Sequence, residues 1–255
     1  MPILSLVSQV SFATKYFTEA PRISAQRLAA PQDPEIKINF MKNQKGVFFE
    51  PRMGGDLGIL RNEDRNFDLS ARGLFVPRFE FLSNSFDLWN IDFVGGMAAS
   101  WQWNQNSFEG LVFHKSSHLG PDIAQTRPSN NHSYEVLQGH YSRKWDSGME
   151  FYSGLAWVFR ADTELLLHKL KVHMGANFHW NSWDPNLYGA IDLESDQVHN
   201  WSINSSWEIG YELGVAKAER RRQRVFVNFY SGYSQLGQFF QEKEEAVSFG
   251  LAASF

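Results

Sequence analysis

The last ten residues, AVSFGLAASF, alternate between large apolar side chains and small ones. Successive side chains of an extended strand point to opposite faces, so Val247, Phe249 and Leu251 share one face, and Ser248 and Gly250 share the other. A strand of this kind that ends on an aromatic residue is typical of the closing strand of a transmembrane barrel, with lipid on its apolar face. The edge strand of a soluble β-sandwich is the alternative.

The same alternation recurs along the chain in long segments. In residues 201–215, for example, Trp207 and Ile209 alternate with Glu208 and Gly210. Such runs exceed the roughly 5 or 6 residues of an average soluble strand and cover the roughly 9 to 11 that a tilted membrane strand needs. The mean hydropathy is −0.38, and no apolar run reaches the roughly 18 residues of a membrane helix.

Counting these segments predicts the strands and the fold. The predicted strands are 35–43, 47–60, 67–82, 88–103, 107–118, 132–145, 149–160, 165–181, 186–195, 199–215, 222–233 and 246–255. The total is even, as single-chain bacterial barrels prefer. We therefore predict an all-β fold, a closed antiparallel transmembrane β-barrel of about 12 strands (roughly 10 to 12) of the outer-membrane type.

The chain divides into three parts on this interpretation. Residues 1–13 (MPILSLVSQVSFA) are a signal-peptide remnant, since a short apolar stretch ends at small residues. Residues 14–34 form a periplasmic N-terminal segment, and residues 35–255 form the barrel. The two longest connections, 119–131 and 234–245, fall at the same barrel end, and such barrels keep their long loops outside. The predicted location is a bacterial outer membrane, with both termini in the periplasm.

Composition removes several kinds of function. The chain has no cysteine, which excludes disulfides and thiolate metal sites. A net charge of −4 gives no support for binding nucleic acid through its phosphates. His114 and His118 are too far apart on a strand to share one ion, since each residue advances the strand by about 3.3 Å. No cofactor or metal is predicted.

The predicted lumen carries charges of both signs, which must pair with one another or contact water. By strand parity the inward polar set is Glu50, Arg52, Asp68, Arg72, Arg78, Glu80, Asp92, Lys169, Lys171, His173, Asp192, Glu208, Glu212, Arg222 and Arg224. A barrel of about 12 strands is intermediate between filled eight-stranded barrels and open porins. We expect a narrow lumen that is largely closed by ion pairs.

Four stretches carry a resemblance to a known family. They are FHKSSHLG (113–120), NHSYE (131–135), NLYGAIDLES (186–195) and FYSGYSQLGQFFQEKEE (229–245). In this order they resemble a family of outer-membrane barrels known as the domain of unknown function number twelve hundred and seven, over residues 35–255. The family pattern has Asp where this chain has Pro121, and differs at His132 and Tyr134. The resemblance implies the fold and the location, and it assigns no activity.

His114 and Ser116 invite an enzymatic interpretation. Residues i and i+2 of a strand share a face, so the imidazole can serve as the base for the hydroxyl nucleophile. The pair is similar to the His-x-Ser pairs of the outer-membrane phospholipase A and lipid A deacylase families, in which a neighbouring strand supplies an orienting group. Here Glu135 or Asn131 would take that role. The alternative is a polar rim cluster that stabilises the loop, with Ser117, His118 and Asp122 bonding to the backbone.

The direction in which this strand faces separates the functional hypotheses. Leu111 and Phe113 are predicted to face lipid, which would turn His114, Ser116 and His118 inward, against catalysis on lipid. The leading hypothesis is therefore a barrel that binds or passes a small solute. The alternatives are a lipid or lipopolysaccharide acyl-ester hydrolase and a soluble carrier of an apolar ligand. The predicted partners are outer-membrane lipid, lipopolysaccharide and the barrel-assembly machinery, which would engage the C-terminal Phe255.

Overall fold

The computed structural model describes residues 14–16, 22–83, 85–128, 132–180, 184–213 and 222–254. Its strands are β1 (Thr14–Tyr16), β2 (Ile36–Asn43), β3 (Gly46–Asn62), β4 (Phe67–Glu80), β5 (Leu88–Trp103), β6 (Asn106–Leu119), β7 (His132–Lys144), β8 (Glu150–Ala161), β9 (Leu170–Trp180), β10 (Asp184–Asp196), β11 (Ile203–Glu212), β12 (Arg222–Tyr233) and β13 (Lys243–Ser254). The helix α1 (Pro121–Ala124) and a 3₁₀ turn (Gly237–Phe239) lie in loops. No helix in these ranges is long and apolar enough to cross a bilayer.

Strands β2 to β13 form a closed antiparallel barrel of twelve strands. Each strand pairs with the next in sequence, and β13 returns to β2 with Phe249 opposite Phe40 and Leu251 opposite Ile38. Closure leaves no continuous unpaired edge, which a sheet in lipid requires. The short strand β1 pairs with the end of β3, at residues 60–62, beyond the part of β3 that β2 covers. The prediction of a barrel of about 12 strands is confirmed.

The two faces of the barrel differ as the alternation predicts. On β13, Val247, Phe249 and Leu251 are exposed, and Phe249 reaches 60%, whereas Ala246 and Ser248 are buried in the lumen. Exposed large apolar side chains also lie on the outside of β2, β3, β5 to β9, β11 and β12. An outer surface of this composition matches the interior of a bilayer.

Strand direction places the connections at two ends. One end, here called the loop end, carries the connections 44–45, 81–87, 120–131, 162–169, 197–202 and 234–242. The other end, here called the terminal end, carries the connections 63–66, 104–105, 145–149, 181–183 and 213–221, together with the start of β2 and the end of β13. The two connections that were predicted to share an end both lie at the loop end.

Residues 22–34 lie inside the barrel, which differs from the expected periplasmic segment. Arg22 contacts Glu109 on β6 at 3.1 Å, and Asn177 on β9 donates a hydrogen bond of 2.6 Å to the backbone oxygen of Gln26. Arg27 and Asp33 are buried and form an ion pair of 2.5 Å. A segment rich in charged and polar groups can enter the lumen because the inward face supplies partners for those groups. The barrel begins at Ile36, close to the predicted residue 35, and residues 1–13 lie outside the described residues.

The connection 234–242 folds inward at the loop end. Gln238 Nε2 donates a hydrogen bond of 2.6 Å to the backbone oxygen of Ser117, and the backbone N–H of Gly237 donates one of 3.1 Å to Asp92. Phe239 is buried and stacks on Trp89 with ring centroids 5.7 Å apart. The lumen is therefore occupied from both ends, by residues 22–35 and by this loop.

Two predicted strands begin later than the alternation indicates. β9 begins at Leu170 rather than at 165, and the chain turns before it, with His168 in a left-handed conformation (φ 59°). β11 begins at Ile203 rather than at 199, after a turn that contains Asn200 and Trp201 with φ of 51° and 61°. In both cases the residues of the loop-end turn show the same apolar alternation as the strand that follows. The side-chain pattern alone therefore does not locate the start of the strand.

Candidate active site

β6 faces the opposite way from the expectation. Leu111 is 5% exposed and Lys115 and Ser117 are 3% exposed, whereas Val112 is 47% exposed. His114, Ser116 and His118 therefore lie on the outer surface, and the prediction that they point inward was wrong. Leu111 and Phe113 contribute to an apolar wall inside the lumen. Alternation does not identify the outward face of β6, because part of the lumen wall is itself apolar.

His114 and Glu135 face each other on neighbouring strands. They are directly opposite in the register of β6 and β7, and His114 Nδ1 lies 3.2 Å from Glu135 Oε1. The His114 side chain is 48% exposed and that of Glu135 is 24% exposed. The carboxylate can accept a hydrogen bond from Nδ1–H, which fixes the tautomer and leaves Nε2 free to act as a base.

Ser116 lies on the same outer face as His114, two residues further along β6. It is half-buried and is opposite Ser133 of β7. Within the described chain its hydroxyl makes no hydrogen bond, so it is not committed to a structural contact. Catalytic hydrogen bonds are often long in ligand-free enzymes and tighten with substrate.

Arg160 of β8 completes the group around Glu135, and the sequence analysis missed it. It is opposite Glu135 in the register of β7 and β8, with Arg160 Nη1 3.7 Å from Glu135 Oε1. The contact depends on a bulge that shifts the register between Glu135 and Val136. Alternation gives no signal for a bulge, so sequence could not place this arginine.

The other predicted site residues are dispersed. Asn131 lies outside the described residues, so of the two predicted orienting groups only Glu135 can be located. Ser117 points into the lumen and hydrogen-bonds to Asp92. His118 lies outside with its ring 6.2 Å from that of Phe93, and Asp122 is exposed on α1. The three residues of the predicted rim cluster do not form one cluster.

The wall beside His114 is bare of side chains. Gly55, Gly73 and Gly95 are opposite one another on β3, β4 and β5, and Gly95 is in turn opposite His114. All three are exposed, and a Cβ atom at any of them would meet no atom within 4 Å. On the loop-end side the row is flanked by Phe75 and its neighbours on the same three strands. A shallow trough about three strands wide, roughly 14 Å at 4.7–4.9 Å per strand, thus leads to His114.

The inward polar set forms ion pairs inside the lumen. Arg78 contacts both Glu50 and Glu244 at 2.6 Å, and Arg72 contacts Glu109 at 2.7 Å. The buried members of the predicted set are Glu50, Asp68, Arg72, Arg78, Asp92, His173, Asp192, Glu208, Glu212 and Arg224, and the half-buried members are Arg52, Glu80, Lys169 and Lys171. The side chain of Arg222 lies outside the described residues. Among the described residues no group of three or more histidine or carboxylate side chains is arranged to hold a metal.

Residues 56–255 match the model of the family described as protein of unknown function DUF1207. The chain belongs to this family. No curated protein sequence matches this DUF1207 chain.

Solved structures resemble the DUF1207 chain in fold. The outer membrane phospholipase OMPLA of Salmonella typhi, solved as a dimer with bound calcium, gives a TM-score of 0.62 at 12% identity, covering 86% of this chain and 91% of that one. Outer membrane phospholipase A from Escherichia coli gives 0.62 at 11%, covering 88% and 92%. The KdgM porin in complex with disordered oligogalacturonate gives 0.50 at 10%, covering 87% and 99%. At these identities the likeness shows the fold, which is that of outer-membrane barrels.

Proposed function

We propose that this protein is an acyl-ester hydrolase of outer-membrane lipids, with Ser116 as nucleophile, His114 as general base and Glu135 as the group that orients His114. The observation that carries the proposal is the contact between His114 and Glu135 on the lipid-facing surface, beside an uncommitted Ser116 hydroxyl. A histidine whose Nδ1 is held by a carboxylate presents Nε2 to its surroundings. The two side chains thus supply the base and the nucleophile of an acyl transfer.

The reaction follows from these positions. Nε2 of His114 takes the proton of the Ser116 hydroxyl as its oxygen attacks the ester carbonyl, and the same proton then passes to the departing alcohol oxygen. This leaves the acyl group on Ser116. A water molecule, deprotonated by His114 in the same way, releases the fatty acid and restores the serine. Glu135 stabilises the His114 imidazolium that forms during both acylation and deacylation.

The surroundings of the pair favour lipid as the substrate. His114 and Ser116 lie on the outer face of β6 in the half nearer the loop end, where Glu135 and Arg160 add polar groups to a surface that also carries apolar side chains such as Phe93, opposite Ser116. A lipid ester bond likewise joins apolar acyl chains to a polar headgroup, so both parts of the lipid find matching side chains here. With the loop end outside and the termini in the periplasm, the site meets the outer leaflet, and phospholipid and lipopolysaccharide are then its substrates. The phospholipases that share this fold at 11–12% identity are consistent with this role.

The solute-passage hypothesis has less support in this geometry. Passage needs an open route, and the lumen contains residues 22–35, the inward loop 234–242 and the ion pairs of the inward charged side chains. The soluble-carrier hypothesis requires a polar exterior, whereas side chains such as Phe249 and Ile203 are exposed. The outward-facing His114 and Ser116 fit neither alternative.

An assay of fatty-acid release tests the proposal. Purified protein is incubated in mixed micelles with phosphatidylethanolamine and, in parallel, with lipopolysaccharide. We expect ester cleavage in at least one substrate, and Ser116→Ala to reduce it by about a thousandfold or more. Ser153→Ala is the control, since Ser153 also faces outward but lies on β8 towards the terminal end. Absence of cleavage in the unmodified protein, or equal cleavage in Ser116→Ala, overturns the proposal.

A further inference from the structure

The lumen contains a cavity of about 140 Å³. It lies between the inner face of β6 to β9 and residues 30–34 of the N-terminal segment, and the loops of residues 162–169 and 234–240 border it. Protein interiors are close-packed, and voids larger than a water molecule are few in a domain. A cavity of this size holds a molecule as large as benzene. A cavity of this size is therefore a candidate binding site for a small molecule.

Most of the wall is apolar. Leu111, Val136 and Ala156 are buried on three successive strands, and Val158 and Leu166 extend the same surface towards the loop end. Water needs two to four polar partners, which this part of the wall does not supply. The wall suits the hydrocarbon body of a small organic molecule.

The remaining wall carries polar groups without hydrogen-bond partners. His132 is 3% exposed, and neither of its ring nitrogens makes a hydrogen bond to a described residue; its ring packs between those of Tyr134, at 5.2 Å, and Phe240, at 4.9 Å. The hydroxyl group of Tyr134 also makes no hydrogen bond within the described chain. Buried polar groups are almost always paired, so the buried and unpaired ring of His132, beside the half-buried Tyr134 hydroxyl, indicates that a bound ligand supplies the partner.

The charges at this wall favour an anion. The ammonium groups of Lys115 and Lys171 are matched by Asp92 at 3.0 Å and Glu194 at 2.9 Å. Lys169, which also lines the cavity, has no carboxylate partner among the described residues. A negative group placed here would gain an ion pair with Lys169 and hydrogen bonds from Tyr134 and His132.

We propose that this cavity binds a small carboxylic acid with an apolar body about the size of benzoate. Its ring or branched chain lies against the Leu111, Val136 and Ala156 wall, and its carboxylate meets Lys169, Tyr134 and His132. The inference is independent of the proposed hydrolase, because His114 and Ser116 are on the other side of the β6 wall.

Calorimetry of the full chain in detergent, with sodium benzoate as the probe, tests the proposal. Benzamide has the same shape without the charge and is measured in parallel. We expect saturable binding of benzoate at one site and at least tenfold weaker binding of benzamide. Lys169→Met should weaken benzoate binding at least tenfold, and Ala156→Leu should abolish it by filling the apolar wall. Lys144→Met is the matched control, since Lys144 is an exposed lysine near the terminal end.

The outcomes are decisive in either direction. Binding of benzoate that is lost in Ala156→Leu and weakened in Lys169→Met supports the site. Absence of saturable binding, or binding that neither substitution changes, overturns it. Equal binding of benzamide that Lys169→Met leaves unchanged overturns the assignment to an acid. Ala156 and Lys169 line the cavity and do not contact the outer face. Fatty-acid release by the two variants is therefore independent of benzoate binding, and its measurement distinguishes failure of the cavity proposal from failure of the hydrolase proposal.

Discussion

His114 Nδ1 lies 3.2 Å from Glu135 Oε1 on the outside of the barrel, with the two residues directly opposite on adjacent strands. A polar pair on the lipid-facing surface is costly for a membrane barrel, because polar groups lose their hydration beside acyl chains. Its presence beside Ser116 is the basis of the proposed hydrolase.

Removal of the orienting carboxylate should impair catalysis. Glu135→Ala leaves His114 without its Nδ1 partner, and we expect fatty-acid release to fall by at least about a hundredfold through loss of the correct tautomer and orientation. Arg160→Gln is the control, since Arg160 is 76% exposed and contacts Glu135 from the far side. It should change the rate only a few-fold. A Glu135→Ala protein with the activity of the unmodified chain would show that the contact has no catalytic role.

The glycine row should determine how well long acyl chains are accepted. Leucine at position 73 or 95 projects into the trough that leads to His114, at positions where its Cβ meets no protein atom within 4 Å. We expect Gly73→Leu and Gly95→Leu to reduce hydrolysis of a long-chain ester more than tenfold and to leave a short-chain ester within a few-fold. Gly110→Leu is the control: Gly110 lies on β6 outside the trough, and a Cβ there meets only Phe108 at 3.9 Å. If Gly110→Leu has the same effect as the trough variants, the trough does not hold the substrate.

The N-terminal segment should close the barrel. Asp33 receives hydrogen bonds from Arg22 at 3.0 Å and from the Arg27 side chain at 2.5 Å. Asp33→Asn removes the charge that these buried guanidinium groups share and should weaken docking by about 3 kcal/mol or more. We expect planar bilayers with the unmodified protein to show no stable conductance steps and the variant to show them. Asp122→Asn, on the exposed helix α1, serves as control. Large steady conductance from the unmodified protein would mean that the lumen is open.

Docking of this segment should resist acid. Burial alone would raise the pKa of Asp33, but the positive charges of Arg22 and Arg27 outweigh it and hold the pKa well below its ordinary value. A carboxylate with a depressed pKa stabilises the docked state above its ordinary pKa, and this contribution is lost only as the pH falls through the lowered value. Hydrogen exchange of residues 22–35 should therefore stay protected from pH 7 down to pH 4. Release of the segment between pH 6 and pH 4 would contradict this.

Particular residues show how far the sequence predicts the structure. The alternation of Val247, Phe249 and Leu251 with small residues predicts the lipid face of β13, and the same rule applied to the other segments predicts the closed barrel. It fails at β6, because Leu111 faces an apolar cavity that no local pattern indicates. Where the lumen wall is itself apolar, as at β6, the strand pattern is compatible with either face outward, and the filling of the lumen decides between them.

The site itself depends on information that sequence does not carry. The spacing of His114 and Ser116 predicts that the two share a face, and Glu135 was among the candidates for the orienting group. The pairing of Glu135 with His114 depends on the register of β6 and β7, and the position of Arg160 depends on a bulge in β7. The lumenal position of residues 22–34 likewise depends on distant partners such as Glu109 and Asn177.

Covalent labelling of the nucleophile tests the central claim most directly. The purified chain in lipid nanodiscs is treated with a fluorophosphonate, and the modified residue is located by peptide mass spectrometry. The account predicts a phosphonyl adduct on Ser116 that is lost in His114→Ala and retained in Ser153→Ala. An unmodified Ser116 in the parent protein, or equal labelling without His114, would contradict it.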